Sequence, residues 1–284
     1  MTHSRTRIHE LLGDALAPRR DLGQNFVADP NTVRRIAALA DVGPGDRVVE
    51  IGAGLGSLTL ALAETGADVT AVEVDRGIVP VLREVVAGQS NVTVVEADAT
   101  ELDWGTLLGQ ATDAAPTGAG GHGWTLVANL PYNIATPLVA DLLDTVPAIT
   151  RMLVMVQKEV AQRFAAAPGS KAYGAVSVKV AYWGTARLVG DVPASVFVPR
   201  PNVESALVRI DRGEQPAGFG DGERERLFGL VRAAFGQRRK MLRRSLAGLV
   251  TPEQFAAAGV APDARPEELG LAAWVALTRA TAPD

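Results

Sequence analysis

Apolar and polar residues change their spacing in a regular rhythm along the first two thirds of this chain. Short runs rich in β-branched residues predict strands at 47–51, 69–74, 91–96, 124–128 and 151–157. Apolar positions three and four apart predict helices at 29–40, 57–65, 76–87, 136–145 and 158–166. In the first of these Asp29 is placed to cap, Pro30 opens the first turn, and Val33, Ile36, Ala37 and Ala40 share one face. Alternation of this kind predicts an α/β, Rossmann-like arrangement: a mostly parallel sheet with helices on both faces. Residues 174–183 remain open, because Val176, Val178 and Val180 alternate like a strand. Two more strands are expected at 185–190 and 204–210. The proline-rich segment 192–201 joins them, and its hairpin-like return puts an antiparallel strand on the sheet. Residues 111–123 read as a flexible surface insertion. Beyond a polar, Gly-containing linker at 213–222 the pattern changes to short helices at 223–235, 239–248, 252–258 and 272–280. This places a boundary near residue 212, with a catalytic domain over 1–212 and a helical domain over 213–284.

Composition narrows the chemistry. The chain has 284 residues, 47% of them hydrophobic, enough for a large core. No apolar run is long and charge-free enough to span a bilayer, and the N-terminus has no segment of signal-peptide type, so the expectation is a cytoplasmic protein without a membrane partner. With no cysteine there is no disulfide, thiol nucleophile or thiolate metal site. The histidines His3, His9 and His122 lie in polar or Gly-rich stretches, which argues against a histidine metal cluster; no metal is expected. A net charge of −4 argues against indiscriminate nucleic-acid binding.

Candidate chemistry gathers at the carboxyl ends of the predicted strands. Glu50-Ile-Gly52-Ala-Gly54-Leu-Gly56 turns the first strand into a helix. A dinucleotide fingerprint requires a glycine or alanine at position 57, where this chain has Ser57, so the turn suits a ligand without a pyrophosphate. Glu73 ends the second strand and can accept both hydroxyls of a ribose, although taken alone it reads equally as a solvated strand-end acid. Asp98 ends the third strand, in Glu96-Ala-Asp98-Ala, and can accept from an adenine amino group. Asn129-Leu130-Pro131-Tyr132 ends the fourth, offering an amide oxygen, backbone carbonyls and an aromatic face. Taken alone it is also an ordinary strand-to-helix turn. The four strand ends together point to a nucleoside-type cofactor in the crevice of an open α/β sheet.

The whole chain resembles the ribosomal RNA adenine N6-dimethyltransferase family, in its bacterial small-subunit form. The resemblance rests on Asp21-Leu-Gly-Gln-Asn25-Phe26-Val27, on Glu50–Gly56, on Glu73 with Asp75, on Asn129–Ile134, and on Phe197-Val-Pro199-Arg-Pro201 followed by Val203-Glu-Ser205. A further stretch, Ala234–Leu242, looks like the family's C-terminal basic helix. The resemblance implies a class I S-adenosylmethionine-dependent methyltransferase fold with seven strands, a small all-α C-terminal domain, and a helix at 174–183. It implies S-adenosyl-L-methionine contacts from Asn25, Val27, Gly52, Gly54, Glu73, Asp98 and Asn129. Valine at position 27 departs from the family's usual leucine, and Arg243-Arg244-Ser245 from its commoner Arg-Asn-Ser.

An adenine amino nitrogen is a weak nucleophile because its lone pair is delocalised into the ring. The Asn129 oxygen and the Leu130 or Pro131 carbonyl are expected to hold its hydrogens, with the base turned out of its stack between Tyr132 and Phe197. In a proline-rich loop Phe197 also reads as an ordinary apolar anchor. Residues 232–244 hold six basic side chains (Arg232, Arg238, Arg239, Lys240, Arg243, Arg244) and no acid. This segment is expected to contact RNA, against the plainer reading of a solvated helix face. The expected reaction is dimethylation at N6 of two adjacent adenosines in the 3′-terminal hairpin of small-subunit rRNA, within a pre-ribosomal small subunit, by a monomer. The alternatives are a large-subunit rRNA methyltransferase of the antibiotic-resistance type, a mainly non-catalytic ribosome-assembly factor and, third, a small-molecule methyltransferase, against which the basic helical domain and the paired aromatic residues argue.

Overall fold

The computed structural model describes residues 2–13, 16–19, 21–109, 123–216 and 219–282. The predicted insertion lies outside them except for Gly123. The strands are β1 (Phe26–Val27), β2 (Arg47–Ile51), β3 (Asp68–Glu73), β4 (Val92–Glu96), β5 (Trp124–Asn129), β6 (Ile149–Gln157), β7 (Gly184–Val192), β8 (Phe197–Val198) and β9 (Ser205–Arg212). The helices up to residue 183 are α1 (Arg5–Leu12), α2 (Pro30–Ala40), α3 (Ser57–Ala63), α4 (Val79–Val86), α5 (Trp104–Leu108), α6 (Ala135–Thr145), α7 (Lys158–Phe164) and α8 (Ala175–Trp183). After β9 come α9 (Asp221–Gly236), α10 (Leu242–Ser245), α11 (Pro252–Ala257) and α12 (Leu271–Ala280).

Seven strands form one sheet in the order β4-β3-β2-β5-β6-β9-β7. β2 to β6 pair in parallel, and β9 runs antiparallel to β6 with Met152 opposite Ile210. The chain leaves β2 toward β3 and β4 on one side and returns to β5 on the other. The switch point, where such sheets hold their ligands, therefore lies between the carboxyl ends of β2 and β5. α2 forms as its spacing predicts. The Asp29 carboxylate accepts from the Asn31 and Thr32 amides, a cap typically worth about 1 kcal/mol. Val33, Ile36, Ala37 and Ala40 are buried in the main core cluster.

The chain divides into two compact units, Met1–Ala161 with Arg187–Asp211, and Gln162–Ala186 with Arg212–Asp284. The second unit joins Arg212–Asp284 with residues 162–186, which a single cut at 212 assigns elsewhere. Tertiary bonds account for this. The Tyr173 hydroxyl donates to the Leu269 carbonyl, the Gly169 amide donates to the Glu267 carbonyl, and the Tyr182 ring packs edge-on to Phe228. Residues 175–183 are helical. α8 is buried around most of its circumference, so apolar residues fall at nearly every position and the stripe that marks a surface helix is missing. A second correction falls on 239–248, expected as one helix. α9 ends at Gly236, residues 237–240 form turns, Met241 is extended, and only Leu242–Ser245 is helical before Gly248 at φ +80°.

Candidate active site

The N-terminal segment is pinned across the switch point. β1 pairs antiparallel with β8, placing Phe26 opposite Val198 and Val27 opposite Phe197. The Ala28 amide donates to the Val196 carbonyl at 2.7 Å. This pairing joins two motifs that lie far apart in sequence. Beneath the segment is a cleft of about 840 Å³, counted with its open mouth. Asn25, Val27, Gly52, Gly54, Glu73, Asn129, Leu130, Pro131 and Tyr132 all line it. The glycine turn is tight for a stated reason: Gly54 has φ +55°, and a Cβ there would stand 3.0 Å from the Phe26 ring. Gly23, at φ +64°, likewise lies against Pro131.

Glu73 is buried, and its carboxylate accepts three backbone amides, from Gly54 at 2.7 Å, Asp75 at 2.9 Å and Val74 at 3.0 Å. Burial still raises its pKa, against those bonds. The amides fix the carboxylate rigidly at the end of β3 and leave lone pairs for hydroxyls. Asp98 stands apart from this group. β4 ends two residues earlier, at Glu96, and the Asp98 side chain is exposed, does not line the cleft, and accepts from the Thr100 amide and hydroxyl.

Asn129 has a defined orientation. Its Nδ2 donates to the Asn25 carbonyl at 2.9 Å, while Oδ1 takes no hydrogen bond among the described residues. The amide is thereby turned so that its acceptor is free. The following carbonyls differ from each other. Pro131 O accepts from the Ile134 and Ala135 amides that open α6, whereas Leu130 O accepts no such bond among the described residues. Of the two carbonyls considered from sequence, Leu130 is the available one. The Tyr132 hydroxyl lies 2.7 Å from Ser205 Oγ, at the head of β9, and burial raises the Tyr132 pKa. Ser205 is completely buried. This bond explains the serine of the Val-Glu-Ser stretch: it holds the tyrosine ring in place.

Phe197 requires a correction. It is fully buried in the core cluster with Val27, Val33 and Leu207 and does not line the cleft, so it presents no face to a base. The plainer reading of an apolar anchor describes it here. Its backbone contributes instead, by holding Val27 through the β1–β8 pair. The predicted basic residues divide as well. Arg232, Arg239, Lys240, Arg243 and Arg244 are exposed on the second unit, on α9, a turn and the one-turn α10 rather than on one continuous helix. Arg238 is half-buried, donates to the Lys171 carbonyl at 2.9 Å and stands 3.8 Å from Glu267.

Three further cleft groups escape sequence reasoning. His3 is buried, its Nε2 is 2.9 Å from the Leu55 carbonyl, its amide donates to Ser57 Oγ, and burial lowers its pKa. Glu50 is buried, accepting from Thr59 Oγ1 at 2.6 Å. Gln24 Nε2 donates to the buried Asp75 at 2.8 Å, tying the N-terminal segment to the end of β3. A capping signal is present for α1, since Ser4 precedes Ile8, Leu11 and Leu12 at helical spacing; the contacts of His3 and Gln24 have none.

The mostly parallel sheet, the glycine turn at the switch point and the buried carboxylate that ends β3 are those of a class I S-adenosylmethionine-dependent methyltransferase. The glycines and the fixed carboxylate lining the cleft fit that cofactor. Residues 16–281 match the ribosomal RNA adenine dimethylase family, and the chain belongs to it. A ribosomal RNA small subunit methyltransferase A from Bifidobacterium longum (strain NCC 2705) is 46% identical, over 96% of this chain and 91% of that protein. One from Corynebacterium diphtheriae is 45% identical, over 94% and 90%. The crystal structure of the 23S rRNA methyltransferase ErmE superposes with TM-score 0.66 at 26% identity, covering 90% of this chain and 98% of that one. A dimethyladenosine transferase from Plasmodium falciparum shares the fold, with TM-score 0.67 at 22% identity, covering 88% and 94%. The chain is thus an S-adenosylmethionine-dependent enzyme that dimethylates adenine in ribosomal RNA. Among the described residues no cluster of His, Cys, Asp and Glu could hold a metal ion, and no helix is long and apolar enough to cross a membrane.

Proposed function

We propose that the enzyme acts on small-subunit rRNA and dimethylates N6 of two adjacent adenosines in the 3′-terminal hairpin, as a cytoplasmic monomer working on a pre-ribosomal small subunit. The observation that carries the reading is the locked Asn129 amide. With Nδ2 committed to the Asn25 carbonyl, Oδ1 and the Leu130 carbonyl form a pair of acceptors beside the Tyr132 ring. Two acceptors fit the two hydrogens of an exocyclic amino group, and a ring beside them fits a flat base turned out of its stack. Holding those hydrogens turns the nitrogen lone pair out of conjugation. The bound cofactor supplies an electrophilic methyl group on a sulfonium. The protein needs no strong base for this, because position and fixed dipoles do most of the work. The second methylation begins with one hydrogen fewer, so one acceptor then faces a methyl group. Gly52, Gly54, Glu73, Asn25, Val27 and Asn129 are the residues assigned to the cofactor. Asp98 is kept as an adenine contact on the family resemblance, and the exposed basic side chains from Arg232 to Arg244 are assigned to RNA phosphate.

The similarity to ErmE supports a second reading, methylation of large-subunit rRNA. Transfer of labelled methyl from S-adenosylmethionine to unmethylated small and large subunits, followed by mass spectrometry of the rRNA, separates the two. Paired dimethyladenosines near the 3′ end of small-subunit rRNA are expected. Label in the large subunit moves the assignment to the second reading. Asn129→Ala is expected to lower the rate by at least about 10²-fold, as removal of a transition-state hydrogen-bonding group typically does. Wild-type turnover by that variant sinks the acceptor role.

A further inference from the structure

Among the described residues the cleft is lined by two buried carboxylates, Glu50 and Glu73, and by no lysine or arginine. A desolvated carboxylate without a partner is costly, so such a cleft favours a cation or a proton. The two acids are held differently. Glu73 accepts three backbone amides, whereas Glu50 has one hydrogen bond, from Thr59 Oγ1 to Oε2. The elements around Glu50 bring little compensating charge. Ala71 of β3 and Val127 of β5 stand directly opposite it in the sheet, and α3 contributes the neutral Thr59. Glu73 repels its charge, and the other titratable groups lining the cleft add no positive one: burial lowers the pKa of His3 and raises that of Tyr132. Glu50 is therefore the acid that the sheet leaves uncompensated.

S-Adenosylmethionine carries a sulfonium charge that S-adenosylhomocysteine lacks, while both have the same amino-acid tail. We propose that Glu50 is the residue by which the cleft prefers the charged cofactor to its neutral product. It stands as a carboxylate while the cleft holds the extra positive charge and takes a proton from water once that charge is gone. In the transfer the amino nitrogen forms the bond to the methyl carbon, sulfur keeps the electron pair of the broken bond, and nitrogen loses one proton to solvent. The proton that Glu50 gains is a separate one, returned to water when the next cofactor binds. Burial pushes the Glu50 carboxyl up to about 8, so this exchange falls within the working pH range. The proposal rests on the assignment of this cleft as the cofactor site.

The test is calorimetric titration of the whole protein with S-adenosylmethionine and with S-adenosylhomocysteine between about pH 6 and about pH 9. Each affinity is first corrected for ionisation of that ligand's own amino group, measured separately, because the sulfonium makes the ammonium of S-adenosylmethionine the more acidic of the two. In the wild type the preference for S-adenosylmethionine is expected to rise by up to about tenfold per pH unit and to level off above Glu50's titration. Glu50→Gln should flatten that profile. Thr59→Val, which removes the hydrogen bond that favours the carboxylate, should move the inflection to higher pH. This second variant keeps the test open if Glu50→Gln fails to fold. A pH-independent ratio in the wild type, or an unchanged profile in a folded Glu50→Gln protein, overturns the proposal. Gly54→Val tests the underlying assignment, because its side chain would meet the Phe26 ring at a positive φ. If that folded variant binds both ligands normally, the cleft is not their site and the proposal falls with it. If it loses both while the wild-type ratio is pH-independent, only the role of Glu50 falls.

Discussion

The bond between the Tyr132 hydroxyl and Ser205 offers the sharpest test of how the site is held. The two oxygens are 2.7 Å apart, Ser205 has no exposed surface, and Tyr132 is half-buried. A neutral hydrogen bond contributes about 0.5–1.5 kcal/mol net, and leaving one buried partner unsatisfied costs about 1–3 kcal/mol. Ser205→Ala is therefore expected to cost about 1–2 kcal/mol. If that loss falls on ring placement in the transition state, kcat/KM drops about five- to thirtyfold. Tyr132→Phe should behave similarly, because it keeps the ring and strands the serine. The double variant separates a specific bond from general damage. Once one partner is gone, removing the other costs less, so the double should be about fivefold more active than the product of the two single losses, a coupling near 1 kcal/mol. The assay is methyl transfer to unmethylated small subunits with saturating cofactor, alongside affinity for S-adenosylmethionine, which should hardly change. Losses that multiply to within about 0.5 kcal/mol would refute the reasoning, because independent sites behave that way.

Two other predictions follow from the charged groups. In the cofactor-free protein the folded-state pKa of Glu50 is raised from an ordinary 4.5 to about 8, so the folded form retains a proton that the unfolded chain loses. Stability contributed at this position therefore falls as pH rises between those values. Glu50→Gln should remove up to about 1.4 kcal/mol of loss per pH unit, and denaturant midpoints that run parallel to the wild type across this window would contradict it. On the second unit, Arg239→Ala and Lys240→Ala should each lower the salt dependence of small-subunit binding by roughly 0.7–0.9 in log–log slope. Arg238→Ala should instead lower Tm by a few degrees, because its guanidinium is spent on Lys171 and Glu267; filter binding and thermal melts distinguish the two classes.

The amino-acid sequence is most legible where a pattern repeats locally. The strand and helix periods locate β2 to β6 and, of the helices between them, α3, α4 and α6 but not the short α5, and the Asp29 cap and Pro30 set the start of α2 to the residue. The strand ends are legible for the same reason, since an open α/β sheet brings them to one crevice whatever else the chain does. The losses come where a side chain's role depends on a distant partner. Asn129 and Asn25 are 104 residues apart, and Tyr132 and Ser205 are 73 apart. Nothing periodic connects them, yet the first bond decides which atom of the amide is the acceptor and the second decides where the ring stands. Phe197 shows the opposite error. Its motif points to the substrate, while β-pairing with Val27 turns the ring into the core. Glu50 carries a signal in the sequence itself, because an acid inside Val-Val-Glu-Ile violates the apolar pattern of a strand buried on both faces. A buried charge kept at such a position calls for a counter-charge, and the protein supplies only a threonine hydroxyl. A proton or a cationic ligand has to neutralise it, so the break in the strand pattern marks the position beside the glycines as one where charge matters.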